Sequence, residues 1–118
     1  MGEESVSGEI HLEPPPVDLS GARVHVRLED TSMIDTAAKV VAEQVIDDLP
    51  SQLPVGEGIP FCLYAGATDP KATYTVRVHI DLTGSGSLKK GDYINMESYP
   101  VLTQGHPREV IVRARRIG

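Results

Sequence analysis

Apolar and polar residues alternate in short runs along most of this chain, at the two-residue period of strands with one buried face. Val6, Gly8, Ile10 and Leu12 alternate with Ser7, Glu9, His11 and Glu13. Ala22, Val24, Val26 and Leu28 alternate with Arg23, His25, Arg27 and Glu29. Tyr74, Val76, Val78, Ile80 and Leu82 do the same with Thr75, Arg77, His79, Asp81 and Thr83. Near the end, Val110, Val112 and Ala114 oppose Ile111, Arg113 and Arg115. Two further strands are expected over Ile59 to Ala65 and Tyr93 to Tyr99.

The segment from Thr36 to Ile46 interrupts this pattern. It is Ala-rich and favours a helix on propensity alone, with Asp35 available as an N-cap. However, Val40, Val41, Val45 and Ile46 are β-branched, and a sandwich needs a strand here to complete its sheet. A strand is therefore predicted from Lys39 to Ile46, with Val40, Ala42, Gln44 and Ile46 on one face. Pro14-Pro15-Pro16 ends the first strand, because proline lacks the ladder donor. Thr83 to Asp92 reads as a flexible hairpin loop. Tyr99-Pro100-Val101-Leu102-Thr103-Gln104-Gly105 reads as the corner feeding the closing strand. The result is an all-β fold, a β-sandwich of about seven antiparallel strands with immunoglobulin-like, Greek-key character. It is expected to form one domain over residues 1–118, with residues 1–4 flexible.

Composition narrows the function classes. At 118 residues and 40% hydrophobic content, one domain can bury roughly two thirds of its unfolded surface without staples. With four Tyr, one Phe and no Trp, the core must rest on Val, Ile, Leu and Ala. The net charge of -6 argues against nucleic-acid binding, which needs a basic patch. The basic run from Arg113 to Arg116 fits alternation along a strand face. A lone cysteine, Cys62, excludes an internal disulfide and a four-cysteine zinc site. No apolar run is long enough to span a bilayer as a helix. The N-terminus lacks the basic start and apolar core of a secretory signal. The expected location is cytoplasmic if the chain is complete, and periplasmic or outer-membrane-associated if a leader has been removed.

If the first two strands form a hairpin across residues 14–21, their apolar faces align with Leu12 opposite Val24 and Ile10 opposite Val26. The outer face would then pair Glu13 with Arg23, His11 with His25, and Glu9 with Arg27. His79 shares this outward phase, so His11, His25 and His79 could gather near Asp81. Zinc or copper needs three or four ligands at about 2.0–2.3 Å. The ordinary reading is a solvated face that happens to carry histidine, so no metal or other cofactor is expected. His106 sits in a loop and is expected to be exposed.

No set of residues suggests catalysis. Asp30, Asp35, Asp47, Asp48, Asp81 and Asp92 read as solvated, strand-end or face residues. Gly84-Ser85-Gly86 opens no helix and is not a phosphate cradle. Cys62 lies among Ile59, Pro60, Phe61, Leu63 and Tyr64, which suggests a buried thiol with no basic neighbour to activate it. Ser and His show no linked spacing that would make a triad. The chain is expected not to be an enzyme.

Val26 to Asp35, Ala38 to Gln44, Ile59-Pro60-Phe61 and Tyr99 to Gly105 occur in that order. Together they resemble the YscW/YbaY-like family of type III secretion lipoprotein chaperones, from Val6 to about Val112. The resemblance implies a small β-sandwich and, for the family's characterised branch, piloting of an outer-membrane secretin subunit. That role depends on a lipid-anchored cysteine after a leader, and neither is seen in this sequence. The signature residues Asp30, Ser32, Tyr99, Pro100 and Gly105 also have structural readings. Asp30 and Ser32 suit turn capping through backbone amides, and Tyr99 suits a buried ring whose hydroxyl meets a backbone carbonyl.

Two functions follow. The first is a non-enzymatic interaction module, a pilotin-like chaperone without the anchor, holding a protein or peptide on an apolar groove or open sheet edge. The alternative is a metal or small-ligand carrier using His11, His25 and His79. Either would act as a monomer or homodimer.

Overall fold

In the computed structural model, residues 4–13, 19–32, 38–47, 49, 57–84, 86 and 88–117 are described, and they form eight strands and no helix. These are β1 (Glu4–Glu13), β2 (Arg23–Asp30), β3 (Lys39–Ile46), β4 (Ile59–Gly66), β5 (Tyr74–Asp81), β6 (Tyr93–Asn95), β7 (Pro100–Val101) and β8 (Glu109–Arg116). The long strands lie where expected, and Lys39–Ile46 is a strand despite its alanines. β1 begins at Glu4, inside the tail expected to be flexible. Pro14 to Pro16, Asp35 and Asp48 lie outside the described residues.

The strands follow the order β3-β2-β5-β6-β8-β1-β4, with β7 beside β5. One half, β3-β2-β5, packs against the other, β8-β1-β4, and the short β6 joins them by pairing with both β5 and β8. The two apolar faces meet in one core. Val24, Val26, Leu28, Val76, Val78 and Ile80 come from one half, and Val6, Ile10, Ile59, Leu63, Val112 and Ala114 from the other. Burying a Val, Leu or Ile side chain is worth about 1.5–3 kcal/mol each, so this shared face dominates the fold's stability. The scarce aromatics Phe61, Tyr74 and Tyr93 join it.

The expected hairpin between β1 and β2 does not form. β1 pairs antiparallel with β4 and parallel with β8, which sets Ile10 opposite Val112 and Leu12 opposite Ala114. β2 pairs with β3 and β5. Alternation fixes the face a strand buries; it does not select among partners of the same phase. The charge pairs change accordingly. Glu13 faces Arg113 and Arg115 of β8 at 4.0 and 3.9 Å. Arg27 instead meets Glu43 of β3 at 2.8 Å. Close approach of β8 also explains Gly8, where a Cβ would stand 1.8 Å from the Val110 carbonyl oxygen.

Two irregularities shift side chains from their expected positions. The β2–β3 register skips Val41, a bulge that turns Val40 outward while Val41, Ala42 and Ile46 pack on the core. The expected strand over Tyr93 to Tyr99 is cut short at Asn95 as β6, and the two-residue β7 falls in the expected corner. At the break, the Asn95 side chain accepts the Val78 N–H at 2.7 Å and donates to Val76 O at 3.3 Å. Its amide thus supplies β5 with the bonds that a continuing strand would have made.

Candidate functional site

The sheet closes at every step but one. β3 and β4 end the strand order, and although their Cα atoms approach within 8 Å, no ladder joins them. Gln44 crosses this seam, its Oε1 accepting the Cys62 N–H at 2.8 Å. One side-chain oxygen therefore does the work of a missing neighbour strand. Val45 lies beside Gln44 in sequence and is 47% exposed, and Tyr64, two residues from Cys62, is 65% exposed. Val40, turned out by the bulge, is 46% exposed farther along β3. Large apolar side chains on a terminal strand are a liability unless something covers them.

Cys62 itself is exposed, contrary to the buried thiol expected. Ile59, Phe61 and Leu63 take the inward phase, so Pro60, Cys62 and Tyr64 must point out. The apolar run had concealed that alternation. Gln44 was missed as well, because nothing in its sequence surroundings marks a seam.

The histidines separate into different sites. His25 and His79 are directly opposite on β2 and β5, with ring centroids 5.6 Å apart and planes 19° from parallel. His11 is not with them. It lies on β1, its Nε2 3.1 Å from Glu9 Oε1. Shared outward phase foresaw the first pair, and the unformed hairpin removed the third member. Among the described residues, no group of three or more His, Cys, Asp or Glu is arranged to hold a metal ion. Burial holds the His25 imidazole below its ordinary value, with His79 and Arg27 acting in the same direction and Glu43 and Asp81 opposing. His106 is half-buried at the corner after β7, and its N–H donates to Thr103 O at 3.0 Å.

Asp81 and Asp92, read from sequence as surface groups, are both buried. Asp92 accepts the Leu82 and Lys89 N–H groups at 3.1 and 3.0 Å and lies 3.0 Å from His79 Nε2. Asp81 accepts the Gly86 N–H at 2.7 Å. The two carboxylates organise the β5–β6 connection from beneath. Their amide partners come together only when that loop folds, so composition carried no sign of them.

The signature residues fall at two junctions. Asp30 accepts the Ser32 N–H at 2.9 Å and also its hydroxyl, and these bonds hold its carboxyl below the ordinary aspartate value. The Ser32 Oγ in turn accepts the Thr73 N–H at 3.0 Å, tying the end of β2 to the approach of β5. Tyr99 is half-buried, and its hydroxyl accepts the Arg113 N–H at 2.9 Å, an amide rather than the carbonyl expected. Pro100 and Gly105 bracket the corner. Within it, Leu102 and Gln104 hold φ of 72° and 58°, and Gly105 holds 84°. The Thr103 hydroxyl donates to Ala72 O at 2.6 Å and anchors this strained turn to the core.

Comparison with known proteins adds the following. The family described as type III secretion system lipoprotein chaperone (YscW) matches residues 1–113. Among solved structures, an alternative pilotin from the type II secretion system of Vibrio cholerae is similar, with a TM-score of 0.80 and 23% identity. The match covers 98% of each chain. At that identity the likeness speaks to the fold. No curated protein matches the chain.

Proposed function

The chain belongs to the YscW family of type III secretion system lipoprotein chaperones, and from that premise we propose that it binds a protein partner at the β3–β4 seam. The partner we propose is an outer-membrane secretin subunit, and the action is binding without chemistry. The observation that carries this reading is the Gln44–Cys62 bridge. A backbone amide on an end strand is held by a replaceable side chain, between exposed Val45 and Tyr64. An extended partner segment could displace Gln44, take the strand-edge hydrogen bonds and cover the apolar side chains, as in β-strand addition. The lipoprotein description of the family supports an envelope location, the second of the two expected from sequence.

Overlapping peptides that tile a secretin subunit of the same organism, titrated against the protein by fluorescence anisotropy, test the reading. A saturable peptide should lose at least tenfold in affinity with Val45→Lys or Tyr64→Lys, since a charge on an edge strand opposes addition. Ile111→Lys, on β8 away from the seam, should leave affinity unchanged. Equal losses in all three variants, or no saturable peptide, would refute the assignment.

A further inference from the structure

Like charges directly opposite one another destabilise a sheet, and antiparallel pairs usually avoid them. β2 and β5 set one such pair together, two arginines, with two histidines facing each other at the adjacent outward position. Arg27 stands opposite Arg77, and His25 opposite His79. A cavity of about 90 Å³ opens over these four side chains, with Gly86 also lining it among the described residues. At roughly 30 Å³ for each water of the liquid, that space suits a few waters or one small oxyanion.

The neighbouring acids pair with these side chains and do not line the cavity. Glu43 accepts from Arg27 Nε at 2.8 Å, and Glu29 accepts from Arg77 Nε at 3.3 Å. Asp92 holds His79 together with the Leu82 and Lys89 amides, and Asp81 holds the Gly86 amide. Each arginine therefore commits one nitrogen to a glutamate that fixes its orientation. A guanidinium carries five N–H donors in a rigid fork, and among the described residues the terminal nitrogens of Arg27 and Arg77 have no further acceptor. Two guanidinium forks beside two imidazoles supply donors of the kind that bind a phosphate or carboxylate.

We propose that Arg27, Arg77, His25 and His79 form a binding site for a single oxyanion, a phosphate or a carboxylate group. The site lies on the β2–β5 face and does not depend on partner binding at the seam. A bound anion offsets the repulsion between the two guanidiniums. It also opposes the influences of burial, His79 and Arg27 that keep His25 neutral, alongside the existing contributions of Glu43 and Asp81. Binding is therefore coupled to proton uptake, and by reciprocity affinity rises as pH falls.

Histidine side-chain NMR, with sodium phosphate, acetate or chloride added at constant ionic strength, provides the test. The His25 and His79 signals should saturate with millimolar phosphate or acetate, while His11 and His106 stay in place. Saturation by phosphate alone assigns a phosphate site, and by acetate alone a carboxylate site. Affinity should be at least fivefold higher at pH 6 than at pH 7.5. Arg77→Gln and Arg27→Gln should each weaken binding at least fivefold, with the melting temperature in chloride serving as the control for folding. Arg77→Lys, which keeps the charge and loses the fork, should fall between wild type and Arg77→Gln. Parallel, non-saturating shifts of all four histidines in every salt, chloride included, would overturn the proposal. Full affinity in Arg77→Gln would overturn it equally.

Discussion

The Tyr99 hydroxyl accepts the Arg113 backbone N–H at 2.9 Å, so a side chain just before β7 holds the middle of β8. Tyr99→Phe keeps the ring and removes only that acceptor. A hydrogen bond of this kind contributes about 1 kcal/mol. The urea midpoint should fall by the corresponding amount with an unchanged m-value. A variant as stable as wild type would show that water replaces the hydroxyl without loss.

Two glycines are needed for different reasons, and alanine separates them. At Gly105 the Cβ would meet nothing within 4 Å, but φ is +84°. Gly105→Ala should therefore cost only the left-handed backbone penalty, about 1–2 kcal/mol. At Gly8 the Cβ would stand 1.8 Å from Val110 O, so β1 and β8 must move apart. Overpacking of that kind typically costs about 1–3 kcal/mol and sometimes more, and here it strikes backbone. Denaturation should rank Gly8→Ala below Gly105→Ala, and the reverse order would contradict the parallel β1–β8 register.

Asp92 is a buried acceptor for two backbone amides. Asp92→Ala leaves both without a partner, and hydrogen bonds to a charged group are worth about 1.5–3 kcal/mol each. The loss should concentrate in the β5–β6 connection. Hydrogen exchange should speed up at Leu82 and Lys89 by more than at β1 amides such as Ile10. Uniform acceleration would mean that the carboxylate acts on global stability only.

The lowered pKa of His25 gives stability a definite pH dependence. Its ordinary value is 6.5, and burial first, then His79, hold it lower in the fold. Between the two values the unfolded chain binds more protons than the folded one, so this contribution is whole above about pH 6.5 and is lost as pH falls through the folded value. Urea midpoints in a phosphate-free buffer should decline from pH 7 toward pH 5. His25→Gln should flatten that decline, and an unchanged slope would assign it to other groups. Asp30 acts in the same sense at lower pH, because its carboxyl lies below 3.8 and its contribution is lost as acid protonates it.

The alternation of Val24, Val26 and Leu28 with Arg23, His25 and Arg27 was enough to assign a strand and its buried face. That follows from the backbone itself, since successive side chains in a strand point to opposite sides. The same reasoning foresaw that His25 and His79 share a phase, while the β-branched residues of Lys39–Ile46 and the need to complete a sheet identified that strand against its alanine content. The family likeness, carried by short runs such as Tyr99 to Gly105, is also a property of the chain as written.

What escaped this reading depends on which strands become neighbours. Ile10 fits Val26 and Val112 equally well by phase, and only packing of the two halves chose Val112. That choice removed His11 from the other histidines, left β3 and β4 as facing ends, and gave Gln44 an amide to hold. The skip at Val41 reversed the face of Val40, and the folded loop buried Asp81 and Asp92 beneath its own amides. The sequence by itself determined the long strands, the inward faces of those that alternate cleanly and the place of the corner after Tyr99, because local backbone geometry and side-chain period decide these. Tertiary structure alone decided the partners, the seam and the paired cations over Gly86, because these contacts join residues that share no local signal and meet only when the core closes.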